Sequence, residues 1–208
     1  MQIKKDYKRE QIETVAKRIF LRKGFAKASM RDIAQGAGIG VSNLYNYFRG
    51  KDKLFRHLVT PLITELEQMM SEHHNVKYHE QFLRYVRCES EEMVTGHMQA
   101  YIRLISRYRD ELKLLMFQAQ GSSIQNFIDE YTDECIRHVL AFMDDMQKRY
   151  PQLRMVRSRF TYHIHTVWMF SFISEIVKHD LKPKEIEKVI RDYIQFECAG
   201  WRSLINET

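Results

Sequence analysis

Ser29-Met30-Arg31-Asp32-Ile33-Ala34-Gln35-Gly36-Ala37-Gly38-Ile39-Gly40-Val41-Ser42-Asn43-Leu44-Tyr45-Asn46-Tyr47-Phe48 is the stretch that decides the fold. Ser29 reads as a helix N-cap, because its hydroxyl can accept from a backbone N–H of the first turn. Asp32, three residues on, completes a variant capping box. A short helix through Ile33, Ala34 and Ala37 follows. Gly36, Gly38 and Gly40 punctuate the next turn, and a further helix runs from about Val41 to Phe48. Two short helices joined by a tight glycine-containing turn make a helix-turn-helix, whose second helix presents its N-terminal residues to a DNA groove.

Upstream, Ile12, Val15, Ala16, Ile19 and Phe20 recur at i, i+3, i+4, i+7 and i+8, the apolar face of a first helix that Gly24 ends. Lys8, Arg9, Lys17 and Arg18 lie at or beside its opposite face. Ile33, Ala34, Ile39, Leu44 and Phe48 can bury against the apolar one. Val41, Ser42, Asn43, Tyr45 and Asn46 are then shared between core and groove. Such side chains suit direct readout, since Asn can bond adenine bidentately and apolar groups can touch a thymine methyl. Tyr45, Tyr47 and Phe48 also fit as bundle aromatics, a reading preferred for Phe48 and Leu44.

Downstream, Arg49-Gly50-Lys51-Asp52 breaks the pattern, and Asp52 can cap a fourth helix through Leu54, Phe55, Leu58 and Val59. Leu62, Leu66, Met69 and Met70 continue it, with Pro61 as a site for a kink. Further helical segments are expected over 79–88, 90–107, 109–119, 122–149, 152–179 and 184–205, with Pro151 and Pro183 marking starts. Nothing reads as strand, and the 8 Gly and 3 Pro in 208 residues leave long uninterrupted stretches. The expected class is all-α. A three-helix DNA-binding domain with helix-turn-helix over 1–53 joins a larger helical domain over 54–208.

The net charge of +6 is unevenly spread. Residues 1–56 hold 14 Lys and Arg against 5 Asp and Glu, whereas residues 57–208 hold 19 against 22. That asymmetry is an electrostatic footprint for nucleic acid or an anionic surface. There is no apolar leader, and the run Val167 to Ile173 is too short to span a bilayer, so a cytoplasmic chain without a membrane partner is expected. Cys88, Cys135 and Cys198 are odd in number and widely spaced, as reduced core cysteines are.

Gly24-Phe25, the run Ser29 to Ala34, Ala37-Gly38-Ile39, Leu44 to Phe48 and Lys51-Asp52-Lys53-Leu54 together resemble the DNA-binding domain of TetR-family repressors, over about the first 55 residues. The resemblance implies that Ser29 caps the second helix and bonds a phosphate, and that Arg31 reaches a base or phosphate. It implies groove-facing roles for Val41, Ser42, Asn43 and Tyr45, with Asn46 among them, and phosphate contacts for Tyr47 and Lys51. Gly40 stands where the family usually caps with Ser or Thr, and Ser42-Asn43 where it often has Gly-Thr; both bear on the operator sequence rather than on the fold.

A single recognition helix specifies weakly, so a homodimer on a palindromic operator in double-stranded DNA is expected. The resemblance favours a four-helix dimer bundle from the last two helices, with Phe160, Trp168, Phe172, Ile186, Ile190, Tyr193, Ile194 and Trp201 as interface candidates. Both helices packing within one subunit is the plainer alternative. Met69, Met93, Met98, Tyr101, Tyr108, Met116, Phe117 and Phe142 are core material by default. Adaptable Met with amphipathic Tyr also suits a pocket for a small hydrophobic or amphipathic effector, which by family analogy swings the fourth helix and releases the operator.

No cofactor and no metal site are expected. His73 and His74 are adjacent, and His163 and His165 two apart, both poor helical spacings for one ion. No nucleophile elbow, phosphate loop or His-Glu metal helix appears, so an enzyme is not expected. The alternatives carried forward are an effector-independent regulator or activator and, behind it, a metal-binding or enzymatic bundle.

Overall fold

The computed structural model describes residues 2–73, 78–86 and 91–207. Its helices are α1 (Gln2–Lys27), α2 (Met30–Gly36), α3 (Val41–Tyr47), α4 (Lys51–His73), α5 (His79–Val86), α6 (Glu91–Arg107), α7 (Arg109–Phe117), α8 (Phe127–Arg149), α9 (Arg159–Lys178) and α10 (Pro183–Leu204). They fall into two compact units that do not follow chain order. One takes residues up to Thr64 together with Tyr108–Phe127, and the other takes Glu65–Arg107 with Ile128–Thr208.

The first unit is built on the apolar face of α1. Ile12, Val15, Ala16, Ile19 and Phe20 are all buried, with Ile33, Ala34, Leu44, Phe48, Leu54 and Phe55 among the residues that join them. Phe20, Phe25 and Phe55 form an aromatic triad with ring centroids 5.0–6.0 Å apart. Gly24 takes φ +74°, the left-handed conformation that lets the chain leave the main run of α1. A Cβ there would stand 2.9 Å from the Gln118 amide oxygen, and the Phe25 N–H donates to the Gln118 carbonyl at 2.8 Å. The α7 segment thus closes over the end of α1, further held by the Lys17–Glu111 ion pair.

That closure explains why α8 starts at Phe127 and not at 122. Asp52, in the first turn of α4, accepts from both the backbone N–H and the hydroxyl of Ser123 at 2.8 Å each. Ser123 is held in a turn with Gly121 at φ +85° before it, and helix cannot begin until that turn ends.

The second unit packs α10 against α5 and α6. Its core holds Leu83, Ile136, Val139, Phe142, Met143, Met146 and Tyr162. A strand pair that the sequence pattern does not announce joins β1 (Leu153–Arg154) to β2 (Asn206–Glu207), antiparallel, with Leu153 opposite Glu207. The helix expected from 152 therefore starts at 159. Gln147 holds the intervening chain, its amide donating to the Leu153 carbonyl at 2.9 Å and accepting from the Met155 N–H at 3.3 Å. Ser158 then caps α9 by accepting from the Thr161 N–H. Pro183 occupies the first position of α10, as expected. Among the described residues no helix is long and apolar enough to cross a membrane.

Candidate nucleic-acid interface and ligand cavity

The capping box at the head of α2 is formed. The Asp32 N–H donates to the Ser29 hydroxyl oxygen at 3.1 Å, and the Ser29 N–H donates to the Asp32 carboxylate at 3.2 Å. Lys23 donates to that carboxylate at 3.0 Å. The hydrogen bond from Lys23, followed by those from Ser29, holds the Asp32 carboxyl below the usual carboxylate range. α2 buries Met30, Ile33 and Ala34 and leaves Arg31 exposed.

The turn into α3 takes a left-handed Gly38 at φ +61°, and Gly40 caps α3 from an extended conformation without a side chain. Within α3 only Leu44 is buried, and Phe48 follows it into the core. Val41, Ser42, Asn43, Tyr45 and Asn46 are exposed and Tyr47 half-buried, so the short helix shows solvent nearly its whole circumference. A seven-residue helix held by one buried leucine depends on its neighbours for stability. Here they include Phe48, which carries the Arg9 guanidinium 5.1 Å from its ring centroid and lies 5.4 Å from His57, itself bonded to Glu13.

Lys51 is placed differently from the other candidates. Its ammonium donates to the carbonyls of Phe25 at 2.8 Å and Ala28 at 3.0 Å, and sits 4.2 Å above the Phe25 ring. It neutralises the carbonyl end of the segment after Gly24, with one of its three N–H groups left over. Nothing in the sequence spacing points to this inward use.

The second unit contains a cavity of about 360 Å³. Met69, Tyr101 and Phe142 line it, as do Leu66 and Met70 from α4, Tyr131, Cys135 and Val139 from α8, Tyr162, His165 and Met169 from α9, and Glu197 and Trp201 from α10. Of the other ligand candidates, Met98 is buried away from the wall, whereas Tyr108, Met116 and Phe117 belong to the first unit. The Met93 side chain lies outside the described residues.

The polar end of the cavity is the part sequence reasoning missed. Glu197 is 7% exposed; its carboxylate accepts from the Tyr193 hydroxyl at 2.8 Å and lies 2.5 Å from His165 Nε2. Burial, then the Glu197 charge, pushes the Tyr101 and Tyr193 phenols up, so both stay neutral. Burial likewise raises the Tyr131 phenol and the Cys135 thiol, which leaves that cysteine a poor nucleophile. A single Glu in an otherwise apolar α10 stripe was the available signal.

Ile186, Ile190, Tyr193 and Ile194 point into their own subunit, each at most 5% exposed, and keep no surface for a partner. Of the other interface candidates, Phe160 and Trp168 are exposed, Phe172 is half-buried against Tyr193, and Trp201 is half-buried against Tyr162. The apolar surface these helices do expose is Phe160, Ile164, Val167 and Trp168 on α9 with Phe196 and Leu204 on α10; Trp168 meets Phe196 at 5.2 Å.

Residues 12–58 match the family model of bacterial regulatory proteins, tetR family. No curated protein sequence matches the chain. Among solved structures it is similar to NalD, the secondary repressor of the MexAB-OprM multidrug efflux pump in Pseudomonas aeruginosa. That match has 16% identity over 93% of this chain and 96% of that one, with a TM-score of 0.61. It is similar to the TetR-family regulator PfmR from Thermus thermophilus at 17% identity over 91% and 94%, TM-score 0.61. A TetR-family member from Streptomyces coelicolor matches at 19% over 91% and 90%, TM-score 0.61. Likenesses at such identities speak for the fold. The family match covers the helix-turn-helix and the helices packed on it: over residues 12–58 the chain is similar to the tetR family of bacterial regulatory proteins.

Proposed function

We propose that this chain is a sequence-specific regulator of transcription that binds a palindromic operator in double-stranded DNA as a homodimer. The observation that carries the reading is the exposure of α3. A helix fixed by Leu44 and Phe48 leaves Val41, Ser42, Asn43, Tyr45 and Asn46 exposed. Ser29, Arg31, Tyr47 and the remaining N–H of Lys51 supply phosphate contacts around it. Dimerisation runs through Phe160, Ile164, Val167, Trp168, Phe196 and Leu204, an apolar patch of a kind that marks interaction surfaces.

Repression, and release by a small effector in the cavity, complete the proposal. α4 runs unbroken from Asp52, beside the helix-turn-helix, to Met69 and Met70 on the cavity wall. An effector that binds one position of this helix better than another shifts the population between DNA-binding and released states. The proposed site of action is the cytoplasm, and no catalytic role is assigned. Selection of genomic fragments with purified protein tests the core of the reading. Enrichment of a palindrome supports it; enrichment without sequence preference points to an architectural DNA binder, and no enrichment rejects DNA binding.

A further inference from the structure

The cavity's chemistry is one-sided. Its described wall carries two carboxylates, Glu197 in the interior and Glu72 at the solvent-exposed end of α4, and neither a lysine nor an arginine. The one basic side chain on that described wall is the half-buried imidazole of His165, which lies 2.5 Å from Glu197. Three hydroxyls in the interior of the wall are engaged within the fold. Tyr131 donates to the Leu66 carbonyl at 2.9 Å, Thr166 to the Tyr162 carbonyl at 3.0 Å, and Tyr101 to the Met169 sulfur at 3.5 Å. A carboxylate ligand would therefore enter against two like charges and find these donors already committed, an unfavourable burial. Aromatic faces complete the picture: Tyr162 stacks on Trp201 at 5.7 Å, and Trp201 meets His165 at 4.9 Å, beside the carboxylate.

We propose that the cavity takes an amphipathic organic cation, its ammonium-type head between Glu197 and the Trp201 ring and its apolar body among Met69, Phe142 and Val139. The head exchanges water for a buried carboxylate and a π face, the two partners that make burial of a cation favourable. The proposal rests on the reading of this cavity as the effector site. It narrows the ligand from any apolar molecule to one charge class.

The test uses three probes with one alkyl body: decyltrimethylammonium, decanol and decanoate, each below its micelle concentration, titrated into the full-length protein and read by tryptophan fluorescence and calorimetry. The cation is expected to bind at least ten-fold tighter than the alcohol, and the carboxylate weakest. Glu197→Gln, which keeps shape and an acceptor for Tyr193, is expected to cut cation affinity ten-fold or more while leaving the alcohol's unchanged. Because a buried change can disturb folding, Glu72→Gln on the surface provides a second measurement, with a two- to three-fold loss for the cation alone. Equal or tighter binding of decanol or decanoate, or an unchanged cation affinity in both variants, overturns the charge assignment and leaves the cavity standing as an effector site. If none of the three probes binds, the proposal falls together with the cavity's role. Operator binding by the ligand-free protein is a separate observable, unaffected by either failure.

Discussion

Ser29 does two jobs at one oxygen: it ends the exposed N–H groups of α2 and, on the proposed reading, faces a phosphate. Replacing it with Ala removes the cap and is expected to cost about 1 kcal/mol in urea unfolding, with Thr restoring most of it. Lys51 is bound more deeply into the fold than its place after α3 suggests. Lys51→Met keeps the stem over Phe25 but leaves the Phe25 and Ala28 carbonyls without their donor, so a loss of roughly 1–3 kcal/mol is expected. If thermal unfolding is unchanged while DNA binding falls, those two hydrogen bonds contribute less than their geometry suggests. His79 shows the opposite arrangement. It is 2% exposed, makes no hydrogen bond among the described residues, and packs its ring on Phe142 at 4.9 Å. Burial, against the pull of Asp145, lowers its pKa below the ordinary 6.5. The unfolded chain then binds the proton first, so stability falls as pH drops below about 6.5 toward the folded value. His79→Phe keeps the ring contact and is expected to flatten that slope, measured as Tm from about pH 7 to about pH 5.

At the scale of elements, periodicity reveals that a face is buried but not what buries it. Ile186, Ile190, Tyr193 and Ile194 repeat at i, i+4, i+7 and i+8, and that stripe is plain in the sequence. Whether it packs on its own subunit or on another is a tertiary fact, and here it packs inward. The helix-turn-helix is legible for the converse reason: its core contacts are local, its caps are written in Ser29 and Gly38, and its glycines leave one way to turn. The late start of α8, the pairing of β1 with β2, and the membership of α7 in the first unit rest on contacts such as Asp52–Ser123 and Phe25–Gln118, which join residues many positions apart. Glu197 is hidden for a similar reason, since its buried setting is made by His165 and Tyr193 around it. What remains exposed on α9 gives a clean test. Val167 is 41% exposed, so Val167→Glu leaves the subunit's own core intact. Circular dichroism is expected to be unchanged, while sedimentation shows monomer in place of dimer; a surviving dimer places the interface elsewhere.

Across the whole molecule, charge is divided between its tasks: residues 1–56 are strongly basic and the remainder mildly acidic. A polyanion is therefore attracted to the first 56 residues and slightly repelled by the remaining ones, which favours encounter through the basic segment. Each phosphate neutralised releases counterions, and affinity falls with salt at a log–log slope of about −0.9 per phosphate. A dimer whose basic groups in residues 1–56, Arg31 among them, neutralise on the order of six to ten phosphates over two half-sites has an expected slope of roughly −5 to −9. One subunit reaches only one half-site, so the Val167→Glu monomer should show about half that slope on the same DNA, together with much weaker binding. Titrations of labelled operator between about 50 and 200 mM salt measure both proteins under one set of conditions. An equal slope in the two would mean that a single subunit already makes every phosphate contact, and the two-fold reading of the operator would then have to go.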